Sequence, residues 1–430
     1  MIRYSLLLAI LFITCSGFGQ QALSLTDAIR IALDNNYDLQ LTRQDEQIAA
    51  IRNSWGTVGR YPYVNLSLES RNNINENQTE DYVQNQYLGS ANVSWTLFDG
   101  FAVRINKQKL DELEELSRQN TGIMIEGTIQ SVVLAYYAVL LEKEKLEVYR
   151  GVMNLSEDLY NRAVAKKDFG TAVTYDVLQA QNAFLADKSA FLTQEVAHKN
   201  ALRNLNYLLA VTNNPDYQFT SEFSAIPVDY SLAKLSEQMM ANNKSLKNQY
   251  INQNLLKNAV ALAKSDFYPS LAFAGGITGS RLGTDYETRG VSWGNSANLY
   301  GNLTLSFNLF SGGNRKRAKQ IAEIEQSMGD VQLEQMKHEL DNQLANIFEF
   351  YLVRKELLNV AAENLATANL NLQISREKFE SGAINSFNFR DVQNLYLNAA
   401  LRELEAIYSF IDTHTSLLRM TGSIIQQYEQ

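Results

Sequence analysis

Apolar and polar residues alternate along four segments of the chain, as in β-strands whose two faces meet different surroundings. The segments are 61–70, 87–98 and two more within 267–310. One face is apolar and carries Val64, Leu66, Leu68, Ala91, Val93, Trp95, Leu97, Leu271, Phe273, Ile277, Leu303, Leu305, Phe307 and Leu309. The pattern fits strands of a membrane barrel and also a half-buried soluble sheet. The polar stretches 71–86 and 281–296 are expected to be extracellular loops.

Apolar residues recur every seven positions in two other regions, which predicts long helices in left-handed supercoiled packing. The two series are Ile125, Val132, Val139, Leu146, Met153 and Tyr160, and Leu344, Tyr351, Leu358, Leu365, Leu372 and Phe379. No proline interrupts residues 100–166 or 312–380, and a helix of that span is about 100 Å long. Glycine is the usual residue just after a helix end. We therefore expect turns at Gly170 and Gly382, with return helices over about 174–209 and 385–420.

A pair of shorter helices is expected before each pair of strands. Thr26 and Asp27 are candidate N-caps, and Ala28, Ile29, Ala32 and Leu33 follow at helical spacing. A second helix is expected from about Tyr37 to Val58.

The chain shows the signs of a tandem duplication. Tyr61-Pro62 recurs 207 residues later as Tyr268-Pro269, and Gly170 recurs 212 residues later as Gly382. The five-residue difference falls between positions 62 and 97, which indicates a tolerant surface loop. We predict repeats at 20–215 and 216–430, each with a helix pair, a β-hairpin (61–98 and 267–310) and a long helical hairpin (100–210 and 312–421).

The N-terminus predicts export. Arg3, an apolar run from Leu6 to Ile13 and small residues after it form a secretory signal that is too short to span a bilayer. We expect a signal peptide over 1–19 with cleavage after Gly19. Cys15, the single cysteine, leaves processing to a lipid-anchored protein as an alternative. After the signal we expect no membrane-spanning helix, so the chain is periplasmic, secreted or a β-barrel.

Charge and candidate chemistry narrow the classes of function. The net charge of -9 argues against a nucleic-acid partner, which needs a basic face. The three histidines are far apart, and no nucleophile has a base within sequence reach. We therefore expect no enzyme activity, no cofactor and no metal site. The segment from Ser311 to Arg317 is rich in glycine and cations but lacks the phosphate-loop pattern. We interpret it as a strand-to-helix junction at the periplasmic edge of a membrane.

Four strands cannot close around a lumen, and an open sheet edge in lipid leaves backbone groups without hydrogen bonds. Closure therefore requires several chains. Three copies of four strands make 12 strands, which is within the range of about 8 to 26 for membrane barrels. A homotrimer is the expectation.

The sequence resembles the TolC-like outer-membrane efflux proteins over nearly all of the mature chain. The resemblance rests on Ser24 to Ile29 with Asn35-Asn36, Tyr61-Pro62, Leu97 to Gly100, Phe169-Gly170, Tyr175 to Gln181, and their second-half equivalents. It implies a mainly α fold with a membrane β-barrel portion: a trimeric α/β-barrel with two tandem repeats, four strands and long coiled-coil helices per chain. It also implies contact with outer-membrane lipid, a helical tube in the periplasm of a Gram-negative type cell, and docking to a periplasmic adaptor protein and an inner-membrane transporter.

In the family that it resembles, helix ends near the two glycine turns close the periplasmic end. The gate carboxylate of the first half falls on Asp176, and the two ring acids of the second half fall on Asn388 and Asp391. Asn388 stands where the family has an acid, and Ile384 stands where the family has an arginine. A ring of three like charges would favour cations, but Asp176 and Asp391 also lie where helix N-termini favour carboxylates. Gly170 and Gly382 are expected to form the turns of the helical hairpins. Arg376 and Glu380 are expected at the same tip, and all four residues are candidates for contact with the adaptor.

The expected function is the outer-membrane exit duct of a tripartite efflux pump, which passively exports small molecules, including multiple drugs. A type I protein-secretion duct is the alternative within this architecture. A periplasmic coiled-coil scaffold or adaptor is the alternative of another class.

Overall fold

The computed structural model describes residues 21–76, 80–212 and 217–428. The predicted signal peptide, Cys15 and the predicted repeat boundary at 215/216 lie outside the described residues. The chain forms two compact units. The sheet unit comprises residues 43–121 and 245–337, and the helical unit comprises the described residues up to 42, 122–244 and those from 338 onward.

Four antiparallel strands form the sheet: β2 (Tyr63–Asn75), β3 (Tyr82–Asp99), β5 (Ser270–Tyr286) and β6 (Gly290–Ser306). Their order is β2-β3-β5-β6, so β3 and β5 are central. The strands are 13, 18, 17 and 17 residues long. The prediction of polar loops over 71–86 and 281–296 is therefore wrong for most of both stretches. Backbone pairing continues past the apolar alternation, for example from Asn72 to Asn85 and from Arg281 to Asn295.

The two faces of the sheet differ as the alternation predicts. On the polar face, side-chain hydrogen bonds join different strands. Ser67 Oγ of β2 lies 2.7 Å from Ser90 Oγ of β3, and the Tyr300 hydroxyl of β6 reaches across β5 to donate to Asn92 Oδ1 of β3 at 3.0 Å. On the apolar face, Leu68 is 83% exposed and Leu299 is 81% exposed. A half-buried soluble sheet would cover these side chains, and no residue in the described part of the chain covers them.

Nine helices are present in the described residues. The short ones are α1 (Leu25–Asn35), α2 (Tyr37–Arg52), α5 (Leu232–Asn242), α6 (Lys244–Ser265) and α9 (Ile424–Tyr428). The long ones are α3 (Ala102–Asp168), α4 (Thr174–Leu208), α7 (Asn314–Glu380) and α8 (Ser386–Met420). The bounds of α7 and α8 are those of α3 and α4 shifted by 212 residues, which accords with a duplication. The assignment of the repeats themselves stays a prediction.

The core of the helical unit forms around the seven-residue series. Val132 and Val139 of α3 are fully buried, and Leu344 and Tyr351 of α7 are 1% exposed. Two short parallel strands, β1 (Gln21–Leu23) and β4 (Tyr217–Phe219), extend the core and were not predicted. The buried Tyr136 hydroxyl ties them to α3, because it donates to the Leu23 carbonyl at 3.0 Å.

One described helix, α3, is long and apolar enough to cross a membrane by length and composition, contrary to the expectation of none. Half of the most apolar 18-residue stretch of this helix is buried within the protein. Because α3 contributes Ile129, Val132 and Val133 to the core, we assign this apolar character to packing.

Two local predictions are wrong in detail. The N-cap of α1 is Ser24, whose Oγ accepts from the Asp27 N–H at 3.1 Å, so neither Thr26 nor Asp27 is the cap. Helix α2 ends at Arg52 and does not continue to Val58. The next residue, Asn53, lies outside the helix, and its side-chain amide donates to Asp111 and Glu114 of α3.

Candidate functional site

Both long hairpins turn through a glycine in the left-handed region. Gly170 has φ 76° and Gly382 has φ 79°. The turns have the same hydrogen bonds: Thr171 N–H donates to the Lys166 carbonyl at 2.9 Å, and Ala383 N–H donates to the Lys378 carbonyl at 2.8 Å. A Cβ on either glycine would meet nothing within 4 Å. Backbone conformation alone therefore requires glycine at both predicted turns.

The return helices begin with two different caps at equivalent positions. In α4, the Asp176 carboxylate accepts from the Val173 N–H at 3.4 Å. In α8, Asn385 Oδ1 accepts from the Asn388 N–H at 2.9 Å. The favourable field of a helix N-terminus thus accounts for the acid at Asp176. Asn388 and Asp391 are both exposed on the first turns of α8.

The ends of the four long helices enclose a cavity of about 610 Å³ in the helical unit. Asp176 and Glu380 both line it, whereas Asn388 and Asp391 do not. Glu380 forms ion pairs with Arg162 of α3 at 3.1 Å and with Arg376 of α7 at 3.5 Å. The structure therefore pairs the predicted tip residues Arg376 and Glu380, and Glu380 lines the same cavity as Asp176.

An aromatic pair lines this cavity. The rings of Phe379 and Phe389 stack with centroids 5.1 Å apart, and Phe389 is 1% exposed. The ammonium of Lys166 lies 6.0 Å from the Phe379 ring centroid, within the range of a cation–π contact. These contacts join the last turn of α3 to the second hairpin, α7 and α8.

A buried ion pair fastens the start of α8 to α3 and α4. The Arg390 guanidinium donates to both oxygens of Asp187, with Nη1–Oδ2 at 2.5 Å and Nη2–Oδ1 at 2.7 Å. The Asp187 side chain is 7% exposed and that of Arg390 is 27% exposed. The hydroxyl of Ser156, a residue 2% exposed, also hydrogen-bonds to Asp187. Bidentate, charge-assisted bonds of this kind are among the strongest in proteins.

Sequence reasoning missed this arrangement. Ser156, Asp187 and Arg390 lie on three helices, and no local spacing connects them. The nearest sequence signal is the position of Arg390, which lies between Asn388 and Asp391. Ile384 occupies the position where the resemblance places an arginine of the gate. Arg390, six residues later, supplies a guanidinium near these helix ends.

The sequence profile of the family described as outer membrane efflux protein matches residues 28–211 and 235–423, most of the chain. The chain belongs to the outer membrane efflux protein family. "Outer membrane protein TolC" of Vibrio cholerae serotype O1 is 25% identical over 61% of this chain and 59% of its own length. "Toxin and drug export protein A" of Aggregatibacter actinomycetemcomitans is 22% identical over 77% of this chain and 71% of its own length. The chain thus spans about three fifths of the first of these relatives.

The fold matches that of solved outer-membrane channels. CusC superposes with a TM-score of 0.75 at 16% identity, over 95% of this chain and 94% of its own. The resemblance drawn from the sequence motifs is confirmed. Because this is a family of channels, the prediction that the chain is not an enzyme is confirmed as well. The roles of Asp176, Asn388, Asp391, Gly170, Gly382, Arg376 and Glu380 stay predictions.

Proposed function

We propose that three copies of this efflux-family chain close a 12-stranded barrel in the outer membrane and form the exit duct of a tripartite pump. The observation that supports this best is the sheet of one protomer. Its apolar face is exposed, and in the described residues β2 and β6 each pair along one edge only. Lipid would cover the apolar face, and the free edges would pair between copies.

Apolar stripes on two long helices give independent support for contact between copies. On α4, Leu178, Leu185 and Leu192 lie seven residues apart and are 53%, 51% and 50% exposed. On α7, Val353 and Val360 are seven apart and are 55% and 53% exposed, and Ile374 follows two heptads after Val360, with Thr367 between them. A seven-residue apolar series is the seam of a coiled coil. We propose that the neighbouring copies cover both stripes.

The polar face of the sheet suits the lining of a water-filled duct. It carries hydroxyl and amide groups such as Ser67, Ser90 and Asn92, and the bonds Ser67–Ser90 and Tyr300–Asn92 run between strands. Transport through such a lining needs no chemical step by this chain. Energy would come from the inner-membrane transporter, which a periplasmic adaptor protein would connect to the duct.

The glycine turns are proposed as the periplasmic gate and the adaptor contact. Asp176 lines the cavity between the helix ends, and Asp391 is exposed one turn into α8. Repeated in three copies, the exposed acid would form a ring of charge that favours cations. Arg376 and Glu380 would contribute to the surface that an adaptor contacts.

Deletion of the protein from its native cell tests the proposed cargo. We expect greater accumulation of small toxic molecules, measured with a fluorescent dye, and normal levels of secreted proteins. Loss of a secreted protein with unchanged dye accumulation would favour the type I secretion alternative. Release of the protein from membranes by salt alone would contradict both ducts and favour the periplasmic scaffold.

A further inference from the structure

A basic patch lies at one end of the sheet, in a chain whose net charge is -9. Asp99, Ser270 and Ser306 are neighbours at this end through strand pairing, and the segments before and after the strands meet here. The patch comprises Arg60, Arg104, Lys264, Arg315, Lys316 and Arg317, and all six belong to the sheet unit. We propose that this basic patch binds the acidic headgroups of phospholipids in the membrane leaflet next to it.

The patch borders the apolar face of the sheet. Trp95 belongs to that face, and its indole N–H donates to the Arg60 carbonyl at 2.9 Å. The Arg60 guanidinium stacks 4.5 Å from the Trp55 ring centroid, and Lys107 approaches the same ring at 5.8 Å. Arg104 precedes Lys107 by three residues on α3 and so shares its side of the helix. The cations are therefore placed where the lipid-facing surface ends.

The side chains around the patch are those of a membrane interface. Phe101 and Tyr268 are 52% and 53% exposed, and their rings pack edge to face. Phe310 is 84% exposed. Exposed aromatic rings lie at the level of lipid headgroups, and lysine and arginine next to them reach the phosphates.

The cations are available to an external anion. Within the described part of the chain, none of the six forms an ion pair with a carboxylate, and Arg104, Lys264, Lys316 and Arg317 are exposed. The first turns of α3 and α7 contain no acidic residue, and the acid at the start of α3 is Asp99, whose carboxylate accepts from the Val103 N–H at 2.9 Å. Arg104 and Lys316 occupy equivalent positions, 212 residues apart. A cation at a helix N-terminus does not stabilise the helix, whereas an anionic surface accounts for basic residues at both starts.

This inference rests on the proposed membrane barrel and adds the chemistry of the lipid that it contacts. An acidic phospholipid such as phosphatidylglycerol supplies both the acyl chains for the apolar face and the phosphodiester for the patch. Each cation near an anionic membrane surface favours association about fivefold. We therefore expect a preference of at least fivefold for phosphatidylglycerol over phosphatidylcholine at low salt.

The tryptophans of the protein report on this contact directly. Trp55 and Trp95 lie at the patch, whereas Trp293 lies toward the other end of the strands, stacked on Tyr87. The full chain carrying Trp293→Phe is reconstituted into bilayers that contain brominated phosphatidylglycerol or brominated phosphatidylcholine. Fluorescence quenching then gives the relative binding constant of the two lipids at the patch.

Matched triple variants separate the patch from general charge. In Arg104→Gln/Lys316→Gln/Lys264→Gln, the preference is expected to fall at least threefold. None of these side chains makes a hydrogen bond or ion pair in the described structure, so folding is preserved. The control Lys143→Gln/Lys234→Gln/Arg402→Gln removes the same charge from exposed positions in the helical unit and is expected to keep the preference.

One result would overturn the inference and leave the duct intact. It is equal quenching by the two lipids in the Trp293→Phe protein with an intact patch, when that protein conducts ions in the same bilayers. An equal loss of preference in both triple variants would also overturn it. A protein that fails to insert into either bilayer would refute the duct and this inference together.

Discussion

Replacing Arg390 by methionine tests how firmly the first turn of α8 is held. The change removes the cation and leaves the aliphatic stem, so the Asp187 carboxylate stays buried with Ser156 as a neighbour. Loss of one partner of a fully buried pair costs about 3–5 kcal/mol. The Arg390 side chain is 27% exposed, so the pair is partly solvated. We therefore expect Arg390→Met to lower the local free energy of unfolding by about 2–3 kcal/mol.

The chemistry of the pair predicts an order among variants. Asp187→Asn removes the charge, and Arg390 can turn its guanidinium toward water, so about 1–2 kcal/mol is expected. The double variant Asp187→Leu/Arg390→Met leaves no unpaired charge and should be more stable than Arg390→Met alone. Lys199→Met is the control, since Lys199 pairs with Glu195 at 2.7 Å on an exposed surface and such a pair contributes about 0.2–1 kcal/mol.

Hydrogen exchange followed by mass spectrometry is the suitable assay, because helix ends open locally without global unfolding. For Arg390→Met, peptides covering 150–165 and 385–395 should exchange about 30–150-fold faster, since 1.4 kcal/mol corresponds to a factor of ten. Exchange within threefold of the unmodified protein would refute the reasoning. So would a double variant that is less stable than Arg390→Met. Because the freed turn carries Asn388 and Asp391, a larger single-channel conductance is also expected.

Three further predictions concern Asp391 and His414 of the helical unit and Gly100 of the sheet unit. Asp391→Ala should lower the cation preference in single-channel recordings, and unchanged reversal potentials would refute the ring of charge. Gly100→Ala should lower the temperature of thermal unfolding more than Gly382→Ala does. Both glycines have positive φ, but a Cβ on Gly100 would lie 2.3 Å from the Ser265 carbonyl oxygen, whereas a Cβ on Gly382 would meet nothing within 4 Å. Burial lowers the pKa of His414, which lies 2.9 Å from the Tyr230 hydroxyl; its contribution to stability should therefore be full above the ordinary pKa of about 6.5 and fall as pH drops below it. His414→Gln should flatten the dependence of unfolding on pH between 7 and 5, and an unchanged profile would contradict this origin.

Much of the fold could be predicted because its signals are periodic and local. The seven-residue series predicts which positions of α3 and α7 are buried, and Val132 and Tyr351 are buried as expected. Gly170 and Gly382 mark both turns, since glycine adopts positive φ at low cost. The alternation in 61–70 and 87–98 separates the two faces of the sheet correctly.

The remainder depends on contacts that sequence spacing does not encode. Strand pairing beyond Ser70 uses backbone hydrogen bonds, and polar side chains there give no apolar pattern to follow. Helix α2 ends at Arg52 because Asn53 bonds to acids about 60 residues away on α3. The Arg390–Asp187 pair joins residues 203 positions apart. Such tertiary contacts override local propensity, and only the folded chain reveals them.

The mass of the native particle tests the central claim most directly. The full protein is extracted from outer membranes in mild detergent, and light scattering is corrected for bound detergent. We predict a protein mass of three chains of 48.6 kDa, less the signal peptide of each. In the proposed barrel, three copies pair the edges of β2 and β6 with one another and cover the stripes on α4 and α7. A stable particle of one chain would contradict the closed barrel and, with it, the proposed duct.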